Sequence, residues 1–237
     1  MMKGLILAGG TGSRLHPISK VVNKHLIPIG KAPMIYYPVR TMIASGITEI
    51  MVATGPESIG DIAKLLGSGH EFGCNFYFRV QEQPLGISDG IRLARDFTSE
   101  DKLMVMLGDN LVRETFADTV REFERSAQGC RIFVKEMPDV DGLAVGHVEN
   151  GVVTRVVEKP DGFVSNLAVT GIYLFDNRCF DFINSLYPSS RQELEVTDLI
   201  NAYFDLGACD SYVLTEDWMD AGTFEALLRA GPLFGVD

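Results

Sequence analysis

The sequence predicts an α/β protein: a mostly parallel central sheet with helices on both faces and an antiparallel insertion after its middle. Three observations carry that prediction. Short continuous apolar runs alternate with helix-length segments through the first half, as expected for strands buried on both faces. Glycines stand at the ends of the helical segments. Asn150-Gly151 lies between two β-rich runs and marks a hairpin.

Taken in order, Lys3–Leu7 reads as a buried strand that empties into a glycine turn at 9–12. Met34–Ser45 reads as a helix closed by Gly46, Glu49–Thr54 as a strand, and Glu57–Leu66 as a helix stopped by Gly67. Phe76–Val80 is a strand, Ile87–Asp96 a helix, Leu103–Leu107 a strand, Thr115–Ala127 a helix and Arg131–Lys135 a strand. Val145–Glu149 and Val152–Val157 are the arms of the hairpin, and Leu167–Phe175 is a further strand. Val196–Leu206 is a helix closed by Gly207, Ser211–Leu214 a strand, and Thr223–Ala230 a last helix with Thr223 as its N-cap. No linker or repeat divides the chain, so residues 1–237 are expected to form one domain.

With 46% hydrophobic and 22% charged residues, the composition fits a globular core and not a disordered chain. The net charge of −11 disfavours general binding to nucleic acid. A small anionic substrate then requires a local cluster of Lys, Arg and backbone N–H groups. Cys74, Cys130, Cys179 and Cys209 contain no CxxC pair and read as reduced thiols. The apolar start of the chain is too short for a secretory core and no run reaches membrane-spanning length, so a cytoplasmic protein without membrane contact is expected.

Five motifs carry chemistry. In Leu7-Ala8-Gly9-Gly10-Thr11-Gly12-Ser13-Arg14, a strand feeds a glycine turn whose N–H groups suit a phosphate, with Arg14 and Lys24 to offset charge. It is neither a P-loop, which needs GK[ST], nor a dinucleotide fingerprint, whose third glycine is replaced by Leu15. Leu107-Gly108-Asp109-Asn110 delivers a carboxylate at the end of an apolar strand, where Mg²⁺ and phosphates bind in open sheets. Asp220, before the last helix, is a second candidate carboxylate for the same metal. Glu158-Lys159-Pro160 ends a strand with an acid suited to sugar hydroxyls and a base suited to a phosphate. Gln81, in Gln81-Glu82-Gln83-Pro84-Leu85-Gly86, carries a donor and an acceptor that match a thymine or uracil edge, and Gly86 leaves room for a base. Taken singly, each motif also fits an ordinary turn or an exposed charge pair.

In order and spacing, these blocks resemble the sugar-1-phosphate nucleotidylyltransferases over nearly the whole chain. Asn23-Lys24-His25-Leu26-Ile27-Pro28, Pro33-Met34-Ile35-Tyr36, Ala168-Val169-Thr170-Gly171-Ile172-Tyr173, Glu193-Leu194-Glu195-Val196-Thr197-Asp198 and Asp220-Ala221-Gly222-Thr223 add to the match. The resemblance is strongest to members that join dTTP to glucose 1-phosphate. It implies a Rossmann-like core over about 1–135 and 211–237, with an antiparallel sugar-binding part over about 136–210. It implies that Arg14, Lys24 and Asp109 are catalytic, and that Leu7, Gly9, Gly10, Thr11, Gly12, Ser13, Arg14, Gln81, Pro84 and Gly86 bind the nucleotide. Asn110, Gly142, Glu158, Lys159, Asn166, Val169, Thr170, Tyr173 and Arg191 are the implied sugar-phosphate contacts, and Asp109 and Asp220 the implied ligands of a Mg²⁺ cofactor.

The chain departs from that family at three places. Ser13 stands where many members have Thr, His25 where Gln is frequent, and Gly142 is offset by one residue from the usual sugar-contacting glycine. It also resembles a short form without the helical tail of longer members, so their distal regulatory site is not expected. A member using UTP, CTP or another sugar phosphate stays open as an alternative, as does a non-catalytic nucleotide-sugar-binding regulator. Retention of Arg14, Lys24, Asp109, Lys159 and Asp220 speaks against the regulator. Homo-oligomerisation is left open.

Overall fold

The computed structural model describes residues 1–10, 12–126 and 129–235. In chain order the strands are β1 (Met2–Leu7), β2 (Pro28–Ile29), β3 (Ala32–Pro33), β4 (Glu49–Thr54), β5 (Asn75–Val80), β6 (Lys102–Leu107) and β7 (Asn110–Val112). They continue with β8 (Cys130–Glu136), β9 (Val145–Glu149), β10 (Val152–Val157), β11 (Leu167–Phe175), β12 (Cys209–Val213) and β13 (Trp218–Asp220). The helices are α1 (Tyr36–Ala44), α2 (Ile59–Leu66), α3 (Ile87–Arg92), α4 (Arg95–Thr98), α5 (Ala117–Arg125), α6 (Arg178–Asn184), α7 (Val196–Phe204) and α8 (Phe224–Phe234).

The central sheet runs β5-β4-β1-β6-β11-β8-β12. Pairs β1/β4, β1/β6, β4/β5 and β8/β12 are parallel, and β11 runs against both β6 and β8. The hairpin β9–β10 joins the sheet through Ala168 of β11 and Val145 of β9. Its turn has Asn150 at φ 52° and Gly151 at φ 79°, the two left-handed residues that a type I′ turn requires.

Successive strand residues point to opposite faces. On one face Ile6, Val52, Met104 and Met106 pack against Val39 and Met42 of α1, Ile62 of α2 and Phe123 of α5. On the other, Leu5, Ala53, Leu103 and Val105 pack against Ile91 of α3, Phe180 of α6, and Leu199 and Ile200 of α7. Each fully buried Val, Leu, Ile, Met or Phe among them contributes about 1.5–3 kcal/mol. A smaller cluster ties α8 to the site end of the sheet through Leu111, Ala221, Ala230 and Phe234.

Several boundaries differ from the sequence reading for local reasons. The first helix starts at Tyr36, not Met34, because Met34 and Ile35 donate their N–H groups to Ile27 O and His25 O. The second starts at Ile59, after a turn closed by Ser58 N–H on Gly55 O. The segment read as one helix over 87–96 is two, because Ala94 N–H bonds back three residues to Ile91 O and tightens the chain. The helix read over 115–127 spans Ala117–Arg125, and Ala127 lies outside the described residues. The last helix runs on to Phe234, with Thr223 Oγ1 accepting from Ala226 N–H as its N-cap. Strands β2, β3, β7 and β13 and helix α6 are elements that the sequence reading missed. Cys74, Cys130 and Cys179 are buried free thiols, and Cys209 is partly exposed and also free.

Candidate active site

The candidate site follows from the strand order. After β1 the chain builds outward to β4 and β5, then returns to place β6 on the other side of β1. Connections leave this switch point in opposite directions and open a crevice at the C-terminal strand ends. The glycine turn emerges there from β1, Asp109 from β6 and Gln81 from β5. Ala8 N–H on Ala53 O (2.7 Å), Gln81 N–H on Thr54 O (2.8 Å) and Gly108 N–H on Leu7 O (2.8 Å) anchor their bases.

Leu7, Gly9, Gly10, Lys24 and Asp109 line one cavity of about 310 Å³, together with Gln81, Pro84 and Gly86. At Gly86 φ is 100°, and an added Cβ would lie 2.6 Å from Leu194 O, so only glycine lets the loop pass this closely. Leu194 N–H bonds Leu85 O at 2.8 Å and holds the loop in place.

A second cavity of about 140 Å³ shares Ile87 and Leu107 with the first. Asn110, Gly142 and Glu158 line it, with Val169, Thr170, Tyr173 and Asp220. Because β11 is antiparallel to β6, its first residues lie at the site end of the sheet. Asn110 is the keystone here, 1% exposed. Its Oδ1 accepts from Gly171 N–H (2.7 Å) and Trp218 Nε1–H (2.8 Å), while its Nδ2 donates to Asp109 Oδ1 (3.2 Å). Gly171 is required, since a Cβ there would fall 2.6 Å from Leu107 and 2.8 Å from Asn110.

The short pair β7/β13 brings the two acids together. Asp220 registers opposite Asn110, and Ala221 N–H donates to Asp109 O at 2.8 Å. Gly222 N–H bonds Asp220 Oδ1 at 2.8 Å, and Arg14 lies 3.9 Å from Asp220 Oδ2. Lys24 Nζ donates to Asp109 Oδ2 in a largely buried ion pair.

These contacts set the protonation states. Burial opposes the Asp109 carboxylate, but the Lys24 charge and the hydrogen bonds from Lys24 and Asn110 outweigh it and hold its pKa well below the usual range. Burial and the neighbouring Asp109 charge push Asp220 up to about 6. Burial and Lys24 push His25 down to about 3, so its imidazole is neutral. Asn23 Oδ1 accepts the His25 main-chain N–H and lies 2.8 Å from its Nδ1, which places the ring proton on Nδ1.

The raised Asp220 pKa has a stability consequence. A folded-state value above the unfolded 3.8 means that the cation-free protein loses stability as pH rises from about 4 to about 6. Asp220→Asn removes that penalty. Without divalent cation the variant is expected to melt above wild type at pH 7, by ~2–4 °C per kcal/mol recovered, with the gap closing at pH 4. Thermal melts at both pH values check this; equal melting at pH 7 would refute it.

The other sequence-derived residues are more dispersed. Gly12 and Ser13 lead into Arg14, whose side chain is exposed apart from its approach to Asp220. Thr11 lies outside the described residues. Lys159 sits at φ 38° with Nζ 3.7 Å from Glu158. Arg191 bonds Glu158 Oε1 (2.9 Å) and Glu195 Oε2 (2.8 Å), linking the two loops that flank the second cavity. The Thr170 hydroxyl donates to Phe133 O, and Asn166 Nδ2 donates to Glu136 outside both cavities. Glu193, His25 and the dividing pair Ile87 and Leu107 also line the site. Each had a signal in the sequence: His25 follows Lys24, Ile87 follows Gly86, and Leu107 and Glu193 open two of the motif blocks.

The family model for nucleotidyl transferases matches residues 3–234. Agl11 of Haloferax volcanii, a low-salt glycan biosynthesis nucleotidyltransferase, is 39% identical over 98% of this chain, which spans 66% of that protein's length. A glucose-1-phosphate thymidylyltransferase from Neisseria meningitidis is 36% identical over 97% of this chain and 81% of its own. A Bacillus anthracis protein assigned as a glucose-1-phosphate thymidylyltransferase, crystallised with sucrose, superposes with a TM-score of 0.96. It is 43% identical, with 100% of this chain and 96% of that one covered.

Proposed function

The chain belongs to the nucleotidyl transferase family, and from that membership we propose that it joins dTTP to glucose 1-phosphate, giving dTDP-glucose and pyrophosphate. The observation that carries this reading is the pair of cavities meeting over Ile87 and Leu107, with Asp109 in one and Asp220 in the other. A nucleotide and a sugar phosphate are the two ligands that such a divided site accommodates. The relatives named as thymidylyltransferases support the choice of base and sugar.

In this reading Leu7, Gly9, Gly10, Thr11, Gly12, Ser13 and Arg14 wrap the triphosphate, and Gln81, Pro84 and Gly86 take the base. Asn110, Gly142, Glu158, Val169, Thr170 and Tyr173 form the sugar-phosphate side, mostly from the 136–210 segment, with Lys159 and Arg191 beside Glu158; the Asn166 amide, engaged with Glu136, stands outside this cavity. A sugar-phosphate oxygen attacks the α-phosphorus in line, forming the new P–O bond as the bond to the pyrophosphate breaks. The nucleophile is already an anion, so no general base is assigned. Catalysis consists of holding two anions in line and offsetting the charge that grows on the leaving group. Lys24 lines the first cavity beside Asp109 and turns from that carboxylate to the phosphates as they arrive. Arg14 covers the outer phosphates.

The residues also fit a Mg²⁺ cofactor. Asp109 and Asp220 are neighbours whose mutual repulsion raises one pKa, and a cation relieves that repulsion. Two carboxylates suit an ion that keeps few protein ligands and takes its other oxygens from water and substrate phosphates. When bound, Mg²⁺ would neutralise phosphate charge between the two carboxylates.

No helix among the described residues is long and apolar enough to cross a membrane. Incubation with dTTP, glucose 1-phosphate and Mg²⁺, followed by mass detection, is expected to yield dTDP-glucose. Product formed only from UTP, from CTP or from another sugar phosphate would overturn the assignment.

A further inference from the structure

We propose that Asp89 sets which base the nucleotide cavity accepts, by locking the Gln81 side-chain amide with its oxygen as the only group left to read the base. The proposal rests on the reading of this cavity as the base site and deepens it. Asp89 stands on α3 and is 4% exposed. Gln81 Nε2 donates to Asp89 Oδ2 at 2.9 Å and to Gly86 O at 3.2 Å. Both partners are pure acceptors, so chemistry dictates that the amide nitrogen, and not the oxygen, faces them. Arg92 holds the second Asp89 oxygen at 2.5 Å and fixes the carboxylate. Both amide hydrogens are thereby spent.

What remains is Gln81 Oε1. It sits beside Gly9, where an added Cβ would lie 3.0 Å from it, and Gly9 and Gln81 line the same cavity. A free Gln reads donors and acceptors equally, because its amide can turn over. This one presents an acceptor alone. Thymine and uracil meet it with N3–H. Cytosine in the same pose sets the N3 lone pair against the Oε1 lone pair, and a thymine methylated at N3 has no hydrogen to give. Asp89 itself touches no substrate; it is a positioning residue that acts through Gln81.

The test measures pyrophosphate release by wild type and Asp89→Asn with glucose 1-phosphate, Mg²⁺ and dTTP, dCTP or N3-methyl-dTTP. Wild type is expected to disfavour dCTP and N3-methyl-dTTP by about 10–100-fold in kcat/KM. In Asp89→Asn the new amide can donate to Gln81 Oε1 and turn Gln81 over. The preference for dTTP over dCTP is then expected to shrink about tenfold, through KM, with kcat for dTTP nearly unchanged. An unchanged preference in the folded variant overturns the proposal. So does a wild type that handles N3-methyl-dTTP as well as dTTP, a comparison that needs no variant. A wild type that turns over none of the triphosphates overturns the proposed function, and this inference with it.

Discussion

Asp109→Asn lowers the rate of pyrophosphate release by at least ~10²–10³-fold at saturating substrates, the loss typical of removing one preorganised charge. The carboxylate has no neighbour that could replace it. Asp220 is its partner across β7/β13, but burial and repulsion leave Asp220 the weaker anion of the two. The variant also loses the buried partner of Lys24. That costs roughly 1–3 kcal/mol, less than the ~3–5 of a fully enclosed pair, because Lys24 borders a cavity and can turn to water. Steady-state kinetics alongside a thermal melt separate the two effects. A folded variant with near-wild-type turnover would remove Asp109 from the mechanism.

Lys24→Met gives the second large effect, and it acts in two opposite directions. Turnover falls by ~10²–10³-fold, since the ammonium that lines the first cavity beside Asp109 is lost. Affinity of the substrate-free protein for a divalent cation rises. In wild type the Lys24 charge occupies Asp109 and makes it a poor ligand until phosphates draw the lysine away. Mn²⁺ titration followed by electron paramagnetic resonance, without nucleotide, reads this directly. Weaker Mn²⁺ binding by Lys24→Met than by wild type would contradict the competition.

Most of the sheet was legible because its strands are continuous apolar runs, each ending in a glycine or a polar turn. Leu5, Ile6 and Leu103–Met106 announce themselves by composition alone. The motif residues that follow these strands were legible for the same reason, since strand ends define the crevice. The pair β7/β13 was not. Each strand is three residues long, and its pairing depends on the Trp218 indole reaching Asn110, a contact between distant parts of the chain. The split between α3 and α4 escaped notice because helix propensity runs unbroken through Leu93-Ala94. Asp89 reads as an ordinary helix acid until Gln81 is seen to lean on it. Asn110 reads as a ligand-facing amide, with no sign in the sequence that its oxygen also holds Gly171 and Trp218.

The ladder that sets Asp220 beside Asn110 gives the spacing of the two acids an unusual origin. It is measured out in peptide units, with the Trp218 indole pinning the register, so the gauge is nearly as stiff as the backbone itself. The Ala221 N–H bond to Asp109 O carries that gauge one residue further, to the first acid itself.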